Sequence, residues 1–181
     1  MDPTAVLITG AVRIVGSLPV LRWPFAGGVL AILVDLSDLL LLGLLSPGFR
    51  VEEYQVFDKY LDQVYMVAFL IVALRWSGTE RAIAVGLFAF RMVGFVLFEI
   101  TGERLVLVAF PNVFELWFLV VAGLHARDVA PAWTRTRVIA VLGVALLVKE
   151  VQEWAIHGAR LFDGIYALDV VRDAWNWLTG G

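Results

Sequence analysis

Long apolar stretches separated by short polar segments make up most of the chain. Five stretches have roughly the 20 residues that a helix needs to cross the hydrocarbon core of a bilayer. They are span A (residues 23–45), span B (58–76), span C (81–100), span D (105–124) and span E (137–157). The turn sequences Ser46-Pro47-Gly48, Ser77-Gly78 and Thr101-Gly102 lie between them. The pattern predicts five transmembrane helices.

The two ends of the chain have different patterns. Residues 4–21 form a short apolar stretch with Arg13 near its middle, which favours a helix at the membrane interface over a short sixth span. After Arg160, apolar residues recur at spacings of three and four among charged ones, and Trp175 and Trp177 follow. This pattern is typical of an amphipathic helix on the membrane surface.

The predicted fold is therefore an all-α, polytopic integral membrane bundle in a single domain, residues 1–181. It consists of an N-terminal segment (1–22), a five-helix core (23–157) and an amphipathic C-terminal tail (158–181). The count rises to six transmembrane helices if the N-terminal segment also spans the membrane.

The composition supports this class of protein. Hydrophobic residues make up 61% of the chain and charged residues 17%, against about 45–50% and about 25% in soluble domains. The net charge of -3 gives no basic surface for nucleic acid. The chain has no cysteine, which excludes disulfides and thiolate chemistry.

The distribution of basic residues predicts the orientation. One side of the predicted membrane holds Arg22, Arg75, Arg81, Arg127, Arg135 and Arg137, and the other holds Arg50, Lys59, Arg104, Arg160 and Arg172 among several acids. The first side is predicted to be cytoplasmic, which places the start of span A in the cytoplasm. We expect the protein to lie in the plasma (inner) membrane, where it contacts lipid. The sequence leaves open whether the chain forms a homo-oligomer.

Charged residues within the spans are the main functional signal, because a charge at membrane depth costs several kcal/mol unless it faces a partner or a watery cavity. At 1.5 Å per residue, Asp35 lies roughly 18 Å from Trp23, and Lys149 lies about 18 Å from Arg137. The other charged positions fall at similar depths, from the midplane to the outer half. The layer contains Asp35, Asp38, Asp62, Glu99, Glu115 and Glu153, with Arg91 and Lys149.

Helical spacing predicts that these groups face one another. Asp35 and Asp38 share a helix face, as do Lys149, Glu153 and His157. Asn112 and Glu115 follow Pro111, which is expected to break span D. The candidate catalytic residues are Asp35, Asp38, Asp62, Glu115, Lys149 and Glu153, and the candidate substrate-binding or ion-binding residues are Arg91, Glu99, Asn112 and Asp58.

The six acids outnumber the two bases in this layer, so we expect some carboxylates to be protonated, hydrated or bound to a cation. Asp38, Asp62, Glu153 and His157 form a candidate site for a divalent metal such as Mg²⁺, Mn²⁺ or Ca²⁺. The first functional hypothesis is a metal-dependent intramembrane enzyme acting on a lipid-like substrate. The alternatives are a proton- or cation-coupled transporter or channel, and an accessory subunit with a structural charge network.

Overall fold

The computed structural model describes residues 3–45, 51–103, 105–154 and 176, and every regular element in these ranges is helical. The α-helices are α1 (Pro3–Ser17), α2 (Pro24–Leu36), α3 (Asp38–Leu45), α4 (Val51–Ala73), α5 (Gly78–Thr101), α6 (Leu105–Ala109), α7 (Val113–His125) and α8 (Arg135–Glu153). The all-α prediction is therefore confirmed over the described residues. The predicted amphipathic tail lies outside them, except for Asn176.

The first two helices form a tight hairpin. A short 3-10 helix, Leu18–Leu21, follows α1, and Pro24 then occupies the first turn of α2, where its fixed φ suits a helix start. The hairpin is tight because Gly27 has no side chain. A Cβ atom at this position would lie only 2.3 Å from the backbone nitrogen of Val20.

Two of the predicted spans are interrupted near their middle. Span A divides into α2 and α3 at Ser37, whose hydroxyl donates to the carbonyl oxygen of Val34 at 2.7 Å. Span D divides into α6 and α7 at residues 110–112, so the expected break at Pro111 is confirmed. At Ser37 the backbone stays right-handed helical, and the amides of Ser37 and Leu41 still donate to the carbonyls of Leu33 and Ser37, so the irregularity in span A is confined to one residue.

An aromatic core joins α4, α5 and α7. The rings of Phe69 and Phe118 stack with centroids 4.0 Å apart, and Trp76 stacks on Phe118 at 5.3 Å. Phe114 packs against Phe69 and against Phe88 of α5. This core fills one end of the bundle and leaves the polar residues of α1, α4, α7 and α8 nearer the other end.

By length and composition, two helical segments in the described part of the chain could cross a membrane: Pro3–Leu21 and Gly78–Thr101. Pro24–Leu36, Tyr60–Ala73 and Val113–His125 are shorter apolar helices. The interruptions explain part of this difference from the sequence pattern, because they divide spans A and D into shorter helices. The count of five spans and the orientation stay predictions.

Candidate functional site

Arg13 lies at the centre of a buried ionic cluster formed by four helices. Its side chain is 2% exposed. One guanidinium nitrogen, Nη2, is 2.7 Å from Oδ1 of Asp62 and also contacts Asp35, and Nη1 is 3.0 Å from Oδ2 of Asp38. We call these four residues the Arg13 cluster. Three carboxylates from α2, α3 and α4 thus contact one cation from α1.

The interruption at Ser37 brings two of these carboxylates to Arg13. Asp35 is in the last turn of α2, and Asp38 is in the first turn of α3, where the helix dipole favours a negative charge. Asp38 is almost completely buried, at 1% exposure, whereas Asp35 and Asp62 are partly exposed. The cluster therefore reaches from the bundle interior toward its surface.

The position of Arg13 bears on the interpretation of residues 4–21. Arg13 was the residue that favoured an interfacial helix over a sixth span, but its side chain is buried against other helices, so the choice between the two stays a prediction. Arg13 also adds a buried base to the charged residues that the five predicted spans supply. The sequence did contain a signal, since Thr9, Arg13 and Ser17 recur every four residues and are all buried.

A second buried network, the Glu115 network, connects α4, α7 and α8. Nζ of Lys149 is 2.9 Å from Oε1 of Glu115 and donates a second hydrogen bond, also 2.9 Å, to Gln152. Oε2 of Glu115 accepts hydrogen bonds from the hydroxyl of Tyr65 at 3.1 Å and from the amide of Asn112 at 3.2 Å. The Asn112 amide also donates to the Tyr65 hydroxyl at 3.2 Å.

The break at Pro111 positions this second network. Asn112 is the N-cap residue of α7, and Glu115 is in its first turn. Proline has no amide hydrogen, so the helical hydrogen bond to the carbonyl of Leu107 is not made. Arg91 of α5 approaches that carbonyl at 3.5 Å and donates to the carbonyl of Phe110 at 2.6 Å. A charged side chain therefore stabilises the interrupted backbone.

Helix α4 links the two groups of polar residues. Asp62 of the Arg13 cluster and Tyr65 of the Glu115 network are one turn apart on this helix. Polar side chains thus extend across the bundle interior from α1 to α8.

Of the remaining predicted site residues, the structure describes the side chain of Glu99, which contacts neither the Arg13 cluster nor the Glu115 network in the hydrogen bonds of the described residues. Glu99 is exposed and accepts a hydrogen bond of 2.8 Å from the hydroxyl of Tyr60. The side chains of Asp58 and Glu153, and the whole of His157, lie outside the described residues.

The predicted metal site gains no support from the described residues. These contain no group of three or more histidine, aspartate and glutamate side chains able to hold a metal ion. Asp38 and Asp62, two of the four predicted ligands, both contact Arg13. The other two predicted ligands, Glu153 and His157, have no described side chains.

Sequence reasoning missed a third polar site, at the end of the bundle that carries the aromatic core. Glu80 in the first turn of α5 accepts a hydrogen bond of 2.7 Å from the indole of Trp133, and its other carboxylate oxygen is 2.9 Å from Nε2 of His125. The indole of Trp117 donates to the backbone carbonyl of Glu80 at 3.2 Å. These residues are distant in the chain, so no local spacing could have identified them.

Carboxylates, amides and hydroxyls from several helices meet in the Arg13 cluster and the Glu115 network. A proton or small cation bound there can pass from one of these oxygen atoms to a neighbouring one.

No known family model, curated protein or solved structure matches the chain.

Proposed function

We propose that this protein is an integral membrane protein that transfers protons or small cations through the polar residues shared by its helices. The observation that carries the proposal is the set of buried charged side chains beside two helix irregularities, a one-residue irregularity at Ser37 and a break at Pro111. Within a bilayer, irregular backbone is tolerated where it is buried in protein or lines a watery cavity. Interrupted helices with charged groups are also a recurrent way to build ion sites in transporters.

The distribution of apolar side chains supports the membrane location. Many large apolar residues of α5 and α8 face outward, among them Val93, Val96, Ile100, Leu147 and Val151. Asp38, Lys149 and Arg13 are instead almost completely buried. Lipid favours this arrangement, because apolar faces then contact hydrocarbon while charged groups contact one another.

The Arg13 cluster supplies the means by which ion binding changes the packing of the helices. A proton or cation that binds Asp62 would weaken the ionic contact between this carboxylate and Arg13. Asp35 and Asp38 could then keep the guanidinium bound while the contact between α1 and α4 loosens. Binding at one carboxylate would in this way change how two helices pack, which transport requires.

The charge of Arg13 favours transfer of protons or monovalent ions over the metal-dependent enzyme. The guanidinium lies against Asp35, Asp38 and Asp62, so it repels a resident divalent cation more strongly than a single proton or monovalent cation that exchanges at one carboxylate. The remaining alternative is an accessory subunit with a structural charge network. The experiment below distinguishes this alternative from ion transfer.

The test is ion flux in liposomes that contain the purified protein. A pH-sensitive dye inside the vesicles reports proton entry under an imposed potassium-diffusion potential, and sodium and potassium gradients test cations. We expect flux above that of protein-free liposomes for the natural protein, and flux at the protein-free level for Asp62→Asn.

The control variant is Glu103→Gln, which neutralises an exposed carboxylate just beyond the end of α5. It should transfer ions like the natural protein. If the natural protein is folded by circular dichroism yet transfers none of these ions, the proposal is wrong and the charge network is structural.

A further inference from the structure

A surface cleft of about 530 Å³ lies at the end of the bundle where α4 is connected to α5. The end of α7 and the connection between α7 and α8 complete its wall. Arg75, Trp76, Glu80, His125 and Trp133 supply its charged and aromatic lining. A volume in this range is typical of sites for small molecules.

The cleft has a positive side and a negative side. Arg75 is exposed, and its guanidinium donates to the carbonyl of Leu21 at 2.9 Å, which fixes it toward the 3-10 helix. Glu80 of α5 is the acidic residue of the lining, and its side chain is 12% exposed. The hydrogen bonds from Trp133 and the contact with His125 hold the Glu80 carboxylate in place.

Aromatic rings form part of the cleft wall. The Trp76 ring meets the His125 ring edge to face at 5.7 Å, and the Trp133 ring packs on Trp117 at 4.9 Å. Indole faces attract ammonium groups, and tryptophan is enriched where membrane proteins meet lipid headgroups. A ligand with both a negative and a positive group would match this lining.

We propose that the cleft binds the headgroup of one zwitterionic phospholipid. Its phosphate would contact Arg75 and the hydroxyls of Ser77 and Thr79, which also line the cleft, and its ammonium group would contact Glu80 and the indole rings. The proposal relies on the membrane location proposed above.

The outer surface of α4 favours a lipid over a water-soluble zwitterion of the same chemistry. This helix ends at the cleft, and Val67, Ile71 and Leu74 are exposed on one side of it, leading up to Arg75. Acyl chains attached to a headgroup in the cleft could therefore lie along an apolar surface. A free zwitterion would leave that surface unused.

The test is lipid retention measured by native mass spectrometry of the detergent-purified protein. The two probes are dioleoylphosphatidylethanolamine, which is zwitterionic, and dioleoylphosphatidylglycerol, which is anionic. We expect the natural protein to retain one phosphatidylethanolamine in preference to phosphatidylglycerol. Arg75→Gln should lose retention of both lipids, and Glu80→Gln should lose the preference between them.

Arg137→Gln is the matched control. Arg137 is also an exposed arginine that donates to a backbone carbonyl, that of Ala132 at 3.1 Å, but it does not line the cleft. This variant should retain phosphatidylethanolamine like the natural protein. Circular dichroism of all variants would verify that each one is folded.

Equal retention of phosphatidylethanolamine by Arg75→Gln and the natural protein would overturn the proposal. Equal retention of the two lipids by the natural protein would also overturn it, since the cleft would then select only a phosphate. Displacement of the bound lipid by millimolar O-phosphoethanolamine would point to a free zwitterion as the ligand and refute the lipid assignment. The assay needs no ion flux, so its failure is distinguishable from failure of the proposed transport.

Discussion

The ion pair between Lys149 and Glu115 gives a quantitative test of the buried network. Their side chains are 5% and 11% exposed, and Nζ of Lys149 is 2.9 Å from Oε1 of Glu115. Removing one partner of a buried pair costs about 3–5 kcal/mol, because the other charge stays buried without compensation. We expect Lys149→Met to cost about 3 kcal/mol, near the lower limit, since Tyr65 and Asn112 still donate to Glu115.

The double variant Lys149→Met with Glu115→Gln should recover most of this loss. It contains no uncompensated charge, and the glutamine can still accept hydrogen bonds from Tyr65 and Asn112. Replacing a whole buried ion pair by neutral groups is often close to neutral, so we expect a net change within about 1 kcal/mol.

The assay is reversible unfolding in mixed micelles with increasing sodium dodecyl sulfate, followed by helical circular dichroism. Gln152→Ala serves as the control, because it removes the second hydrogen bond of Lys149 at an exposed residue. It should change the free energy of unfolding by about 0.5 kcal/mol or less. Lys149→Met and Glu115→Gln are also measured singly. If their two effects on the free energy of unfolding add up to that of the double variant within about 0.5 kcal/mol, Lys149 and Glu115 are not coupled and the reasoning is wrong.

Two further predictions concern packing and the third polar site. Gly27→Ala should destabilise the protein by about 3 kcal/mol, because its Cβ would meet the backbone of Val20. Gly143 has open space around it, so Gly143→Ala should stabilise α8 by up to about 1 kcal/mol through the higher helix propensity of alanine. Equal unfolding midpoints for these two variants would contradict the close approach at the hairpin. Trp133→Phe should lower the free energy of unfolding by about 1.5 kcal/mol, because it removes a hydrogen bond to the Glu80 carboxylate but keeps an aromatic ring. An unchanged midpoint of thermal unfolding would show that this hydrogen bond makes no net contribution to stability.

Several features of the fold could be predicted from the sequence because they depend on neighbouring residues. Helix α5 ends where Thr101-Gly102 predicted it, and Gly102 has a φ of 69°, a conformation that favours glycine. The break at Pro111 follows from the missing amide hydrogen. The inward positions of Asp38, Glu115 and Lys149 follow from the high cost of exposing charges within an apolar helix.

The interruption at Ser37 and the burial of Arg13 were not predicted, for different reasons. A serine in a helix can turn its hydroxyl either to solvent or to the preceding turn, and the sequence does not distinguish these. Arg13 lies in a stretch whose apolar residues suit both an interfacial helix and a buried one. Its spacing from Thr9 and Ser17 was the available evidence for burial.

The sequence by itself determined that the described part of the chain is helical, that helices end at Thr101-Gly102 and break at Pro111, and which residues are polar within apolar stretches. Only the tertiary structure decided which of these residues meet. Arg13 contacts Asp62 across 49 positions, and Lys149 contacts Glu115 across 34. Helical periodicity fixes the face on which a side chain lies, but the order, tilt and rotation of packed helices determine which faces are in contact.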